Sequence, residues 1–304
     1  MPDKCSTIDS PPMIRPAISL MLFDDRDVVS ALESADGAGF RAVELLAEAP
    51  NWNIGTAQTR QDIQRTLARL GLEASTIHAP FSSPTLDPSS LDEDVRRAAV
   101  HTLSESFAQT AELGVSKIIV HPTQSGRHHS LDAKRRVEAA RRSFEELISV
   151  AERCHVCIAV ENLPDMGPDL VRQNRPLASM GELRRFLAEL PPDRIGLCLD
   201  TGHAALSDFD PAEQARAAGD RLIATHLQDV AVLGRDSHWL PGKGFIHWEH
   251  VIQSLAEVEY SAWWTFEVAS SGSESDRREV ATAATAVARQ WSAVANHTCN
   301  KSES

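Results

Sequence analysis

Short apolar runs alternate with longer amphipathic stretches along almost the whole chain. The runs are Ala17–Leu22, Ala42–Leu46, Glu73–His78, Lys117–His121, Cys157–Glu161, Gly196–Asp200, Leu222–Leu227 and Trp263–Val268. Their centres, such as IIV, IAV and LIA, are apolar on successive residues. A strand with one wet face would alternate, so these centres suit parallel strands buried on both faces. Helical periodicity fills the gaps, at Asp27–Ala38, Gln58–Leu70, Leu91–Leu113, Leu131–Arg153, Ser179–Leu190, Ala212–Gly219, Trp248–Glu257 and Arg277–Ala293. Gly39, Gly71 and Gly114 follow the first three, where a left-handed residue ends a helix.

Eight strands alternating with eight helices predict either a closed (β/α)8 barrel or a doubly wound open sheet. No GxGxxG follows the first strand, which weakens the dinucleotide-binding version, and the count of eight favours the barrel. The 304 residues suit one such domain over 15–294. A disordered lead is expected over 1–14 and a polar tail over 295–304.

Composition narrows the function classes. Hydrophobic residues make up 42% and charged residues 24%, ordinary values for a globular protein. The formal net charge of −13 argues against a general affinity for nucleic acid or anionic membrane. No apolar run reaches transmembrane length, and the first residues lack the apolar stretch of a signal peptide. Five cysteines, an odd number without a secretory signal, point to reduced thiols and a cytoplasmic protein. Cys154 and Cys157 form a lone CxxC leading into a strand, and read as two half-buried thiols. The basic run Lys134–Arg136 with Arg141 and Arg142 is interleaved with glutamates, and reads as a solvated helix face.

The chemistry lies at the strand ends. Barrel active sites form at the C-terminal ends of the strands. There the sequence places Glu44, His78, His121, Glu161, Asp200, His226 and Glu267. A lone acid or imidazole at such a position is usually a satisfied polar group, but seven in succession converge on one mouth. Carboxylates so crowded repel, and a divalent cation resolves the conflict by stabilising ionised acids beside neutral imidazoles. His203 in DTGH and the pair Asp236 and His238 lie close by in sequence. His101, His128, His129, His155, His250 and His297 fall on helices, loops or tails and receive no role. His247 reads as a helix entry, with Trp248 packing on the preceding loop. Gly242-Lys243-Gly244 lacks P-loop spacing and reads as a turn.

In this order, IHAP, VHP, VENLP, CLDTGHA, HLQD, the D-x-H-x-x-PGKG loop with IHW, and FEV resemble the xylose isomerase-like TIM barrels. That superfamily includes sugar phosphate isomerases and epimerases and the endonuclease IV enzymes. The resemblance spans about Ala17 to Ala293, with DTGH and D-x-H-x-x-PGxG its most specific segments. It implies, on the epimerase side, one divalent ion held by Glu161, Asp200, His226 and Glu267, with the two glutamates also acting as acid and base. His203 matches a substrate-binding histidine. On the endonuclease side it implies three zinc ions held by His78, His121, Glu161, Asp200, His203, His226, Asp236, His238 and Glu267.

The ligand types do not separate the two branches, but their surroundings favour the first. His226-Leu227-Gln228-Asp229-Val230 departs from the endonuclease pattern H-x-N-D-S, and LPGKGFIHW is similar to the isomerase pattern. No basic, aromatic-interleaved loop suits a kinked duplex.

The expected function is therefore a divalent-metal-dependent isomerase or epimerase of a sugar or sugar phosphate, using Mn2+, Mg2+, Co2+ or Zn2+. Its partner is a small carbohydrate, and a homo-oligomer is left open. Glu44, Trp52, Phe81, Trp239 and Lys243 are candidate substrate contacts, Lys243 toward a phosphate. The alternatives are a zinc phosphodiesterase of the endonuclease IV type, a lyase or dehydratase using the same enolate chemistry, and a sugar-binding barrel without catalysis.

Overall fold

A computed structural model describes residues 14–83, 85–124, 130–270 and 272–301, side chains after Ser292 excepted. Eight parallel strands close into a barrel in chain order. They are β1 (Pro16–Ser19), β2 (Ala42–Leu46), β3 (Glu73–His78), β4 (Lys117–Val120), β5 (Cys157–Glu161), β6 (Ile195–Asp200), β7 (Leu222–Leu227) and β8 (Trp264–Phe266). Around them lie α1 (Val28–Gly37), α2 (Ala57–Leu70), α3 (Glu93–Glu112), α4 (Ala133–Cys154), α5 (Met180–Phe186), α6 (Thr201–Leu206), α7 (Pro211–Ala218), α8 (Trp248–Glu257) and α9 (Glu274–Lys301). The closed barrel settles the choice against the open sheet.

Local chemistry explains the boundaries. Thr56 caps α2 by accepting from Thr59 N at 3.1 Å. Gly39, Gly71 and Gly114 take φ of +90°, +66° and +74°, as their places after helices required. Ser179 and Glu182 form a reciprocal capping box at the start of α5.

Four features were not anticipated. β1 gives way to a 3-10 turn over Leu20–Phe23. A two-stranded ribbon, Glu48–Ala49 against Trp52–Asn53, follows β2. The helix α6 opens directly from β6. The helix α9 runs on to Lys301, through most of the stretch expected to be a polar tail. Of the expected lead over 1–14, residues 1–13 lie outside the described residues, as do His128 and His129, and Ile14 is buried in the core.

Two layers of apolar packing divide the work. The main core fills the space between strands and helices, with Phe23, Phe40, Phe107, Phe144 and Trp264 fully buried. A smaller cluster of Ile119, Ala159, Cys198 and Ala224 fills the barrel's interior. Side chains two residues further along each strand point the same way. They are His121, Glu161, Asp200 and His226, so an apolar floor lies beneath the ligand-type residues.

Phase along the strands is kept by two bulges. Cys198 pairs with Ala224 although Leu197 pairs with Leu222, leaving Ile223 as an extra residue. Val43 and Glu44 pair with Ala74 and Thr76, leaving Ser75 extra. Each insertion shifts the alternation by one. The first brings His226 opposite Asp200, and the second brings Thr76 opposite Glu44. Among the described residues, no helix is long and apolar enough to cross a membrane. Cys154 and Cys157 are unbridged and half-buried, as expected.

Candidate active site

Glu161, the last residue of β5, is the hub of the mouth. It is 1% exposed, and four imidazoles surround its carboxylate. His78 Nε2 and His121 Nε2 lie 3.3 and 3.2 Å from Oε2. His226 Nδ1 and His203 Nδ1 lie 3.1 and 3.3 Å from Oε1. His226 Nδ1 is also 3.3 Å from Glu267 Oε2. Glu161, Asp200, His226 and Glu267 each offer a ligand atom, and those atoms lie within 4.8 Å of one another. Two further groups meet the same limit, His78 with Glu161 and His226, and His203 with Asp236 and His238.

The second group sits higher in the mouth. His203 Nε2 and His238 Nε2 are 3.0 and 3.4 Å from Asp236 Oδ2. His203 lies in α6, which starts where β6 ends, and Asp200 Oδ1 accepts from its backbone N–H at 2.6 Å. That short helix explains the D-x-x-H spacing, because one turn brings residues three apart to one side. His203 is 5% exposed, so it is a buried member of the site and not an exposed helix-start residue.

Several residues hold this constellation in place. Asn162 exchanges two hydrogen bonds with the backbone of Asp200, at 2.8 and 3.0 Å. Gln228 Nε2 donates to both oxygens of Asp200 and to Asp236 Oδ1 at 3.1–3.2 Å. Gly202 leaves room for that glutamine, since a Cβ there would lie 2.4 Å from its Cδ.

Asp229 organises the loop that carries Asp236 and His238. Its carboxylate accepts from the N–H groups of Val230, Gly242 and Ile246 and from the Trp248 indole, at 2.8–3.2 Å. Gly244 passes so close to Asp229 and Val230 that a Cβ would lie 2.2 Å from their oxygens. Trp248 packs face to face on Trp291, 5.0 Å between centroids, which closes the loop against α9.

Burial and neighbouring charge shift the titrating groups. Burial alone would raise Glu161, but the His226 charge and hydrogen bonds from His121, His203 and His226 outweigh it and hold it well below the carboxylate range. Burial pushes Glu267 up to about 7 despite His226 and His238. Burial pulls His121 down to about 4. His203 and His226 go the other way, because surrounding anionic groups outweigh their desolvation. Asp236 likewise lifts His238 to about 9.

A divalent cation fits this donor set. Three carboxylates and an imidazole converge in the first group, and Glu267 Oε2 is buried without a hydrogen-bond donor. Its neighbours are the imidazoles of His226 and His238, at 3.3 and 3.5 Å, and a cation among them would hold the carboxylate ionised.

Of the expected substrate contacts, one stands at the mouth. Phe81 is 38% exposed, with its ring 4.8 Å from His78 and 5.3 Å from His121. Glu44 is fully buried beneath His226, so it does not reach a substrate. Trp52 is 6% exposed and donates its indole N–H to Leu46 O at 3.1 Å within the ribbon. Trp239 and Lys243 line a separate groove against α9, beside Asp276 and Glu279, a poor setting for a phosphate. Gly242 does form the expected turn, at φ +85°. Asn162, Gln228 and Asp229 carry supporting roles that the sequence motifs do not assign. Their signal is proximity in sequence, since Asn162 directly follows Glu161, and Gln228 and Asp229 lie two and three residues after His226.

The profile of the xylose isomerase-like TIM barrel family matches residues 32–291. A D-psicose 3-epimerase of Enterocloster bolteae is 30% identical over 119 residues, 39% of this chain and 36% of that protein. A probable endonuclease 4 of Oleidesulfovibrio alaskensis is 26% identical over 235 residues, 71% of this chain and 76% of that one. The solved structure of an L-ribulose 3-epimerase superposes with a TM-score of 0.80 at 20% identity, covering 96% of this chain and 99% of that one.

Proposed function

Since the chain belongs to the xylose isomerase-like TIM barrel family, we propose that it is a divalent-metal-dependent isomerase or epimerase of a sugar or sugar phosphate. The reading rests on one observation above all. Glu161 and Glu267, both buried, share a single constellation with Asp200 and His226. Two carboxylates of different basicity in one cleft are the means of moving a proton off one face of a carbon and back from another.

Glu161, Asp200, His226 and Glu267 would hold the ion. When bound, it supplies Lewis-acid stabilisation of the negative charge that develops on a substrate carbonyl oxygen. The chain's own residues do the rest. One of Glu267 and Glu161 takes the proton next to the carbonyl, and the other returns a proton to the opposite face or to the neighbouring carbon. Glu267 accepts no hydrogen bond at Oε2, where only the imidazoles of His226 and His238 stand nearby. Glu161 is fixed by its four imidazoles. Phe81 offers an apolar wall at the entrance, and His121, still partly exposed, a polar contact. The epimerase relatives support this substrate class.

A second reading has its own observation. His203, Asp236 and His238 form a further donor group, and His78 joins Glu161 in another. These overlapping groups would suit a cluster of zinc ions and hence a zinc phosphodiesterase, and a probable endonuclease 4 is among the relatives. Metal analysis of the purified protein separates the two. One tightly held ion per chain supports proton transfer, and three zinc ions per chain with cleavage of abasic DNA overturn it. A lyase would instead release a dehydrated keto product from the same proton abstraction.

A further inference from the structure

A groove of about 520 Å3 lies between the first turns of α4 and the segment that leads into α5. Four cations line it: Lys134 and Arg141 from α4, Arg175 from the loop after β5, and Arg185 from α5. Its one carboxylate is already engaged. Glu182 Oε2 accepts from Ala178 N, Ser179 N and Ser179 Oγ at 3.1–3.2 Å.

The groove cations differ from their neighbours on the same helix. Arg135 pairs with Asp132, Arg136 with Asp87 and Arg142 with Glu93. Among the described residues, none of the four groove cations has a carboxylate within ion-pair distance. Arg141 donates through Nη2 to Phe186 O at 2.6 Å, yet its Nη1 is buried without a partner. Arg141 lines the groove, and an acceptor entering there could satisfy this donor by a small turn of the guanidinium.

Arg175 sets where the groove lies. It donates to Pro164 O at 2.8 Å, Gln124 O at 3.0 Å and Gln173 Oε1 at 3.1 Å, so all three of its nitrogens are engaged. These are the loops that carry Glu161 and His121, so the groove backs onto the rim of the mouth. Burial pulls Arg175 down to about 10, which leaves it cationic at neutral pH. Nearby Asp165 accepts from Arg172 and from the Arg175 backbone N–H. In a chain with a net charge of −13, four cations outside any ion pair around one concavity, against the single carboxylate of Glu182, are a local reversal of sign. With Arg175 committed to the loops, the Lys134 ammonium and the Arg185 and Arg141 guanidinium groups are the ones that match a tetrahedral oxyanion.

We propose that this groove binds the phosphate group of a small molecule, at a place distinct from the carboxylate–imidazole cluster. The claim concerns binding and stands whether or not the proposed reaction does. The test is calorimetric titration of inorganic phosphate into the full-length, metal-loaded protein. Lys134 and Arg185 are exposed, so a Lys134→Glu/Arg185→Glu variant keeps its fold, checked by circular dichroism and melting temperature. The expected result is saturable binding that weakens at least tenfold in this variant. An Arg135→Glu/Arg142→Glu variant carries the same charge change on or beside the same helix, outside the groove, and should bind within twofold of the parent.

Titration in saturating fructose 6-phosphate then assigns the source. Competition identifies the phosphate as part of such a ketose, and undiminished binding identifies a separate phosphorylated ligand. Either result supports the groove as the site. The proposal is overturned if the parent does not bind phosphate, if both double variants weaken equally, or if Glu267→Gln abolishes binding.

Discussion

His226 presents Nε2 to Glu44 Oε2 at 2.9 Å, and neither side chain has any exposed surface. Thr76 Oγ1 donates to the same carboxylate oxygen at 2.8 Å, across the bulge at Ser75. The chain Thr76–Glu44–His226 fixes the ring so that Nδ1 faces Glu161 and Glu267. A buried carboxylate behind a ligating imidazole sets its tautomer and raises its basicity. Glu44→Ala is therefore expected to lower divalent-metal affinity about 10–100-fold, the usual loss when such a supporting partner is removed. Metal titration against a competing chelator reads this directly, and unchanged affinity would remove Glu44 from the account.

The same histidines predict an inverted pH profile for the metal-free protein. His203 and His226 titrate well above 6.5 in the folded state, because surrounding anionic groups outweigh their burial. Their contribution is complete below pH 6.5 and is lost as pH rises through the folded value. Glu267, raised to about 7 by burial, acts in the same direction, since its ionisation above its ordinary 4.5 costs stability. Glu161 and Asp236 are depressed, so their contribution is lost as pH falls. Chelator-treated protein should therefore melt highest at about pH 5–6 and lower toward pH 9. Added divalent metal should reverse that alkaline decline, because binding requires neutral imidazoles. Melting curves across pH, with and without chelator, are the check. A metal-free midpoint that climbs from pH 6 to 9 would contradict the assignment.

Asp229 gives a prediction about architecture. Asp229→Ala would leave four donors without their acceptor, three of them buried and the Trp248 indole among those. A loss of about 2–4 kcal/mol of folding stability is expected. Urea unfolding followed by tryptophan fluorescence measures it, and a loss below about 1 kcal/mol would mean the loop has another anchor.

The barrel was legible because its strands are continuous apolar runs and its helices stop at glycines, signals that need no tertiary information. The site was legible through the same phase, since the last inward residue of each strand points into the mouth. What could not be read was depth. Glu44 and Glu161 look alike in sequence as acids toward the ends of their strands, yet Glu44 sits mid-strand in β2, one layer lower, against Thr76 and beneath His226. The bulges at Ser75 and Ile223 were equally hidden, because an extra residue leaves hydrophobicity unchanged. Trp239 and Lys243 follow the ligand-type residues in sequence, but the hydrogen bonds of Asp229 fold their loop back toward α9.

The central claim is that Glu161 and Glu267 move a proton next to a sugar carbonyl. Incubating metal-loaded protein with a panel of ketoses in deuterated water tests it most directly, with Glu267→Gln alongside. The account predicts deuterium at a carbon adjacent to the carbonyl of at least one ketose, together with its epimer or isomer. It also predicts a loss of exchange of about a thousandfold or more in a folded Glu267→Gln protein, as removal of a general base implies. Near-normal exchange in that variant, or no exchange with any ketose alongside cleavage of abasic DNA, would contradict it.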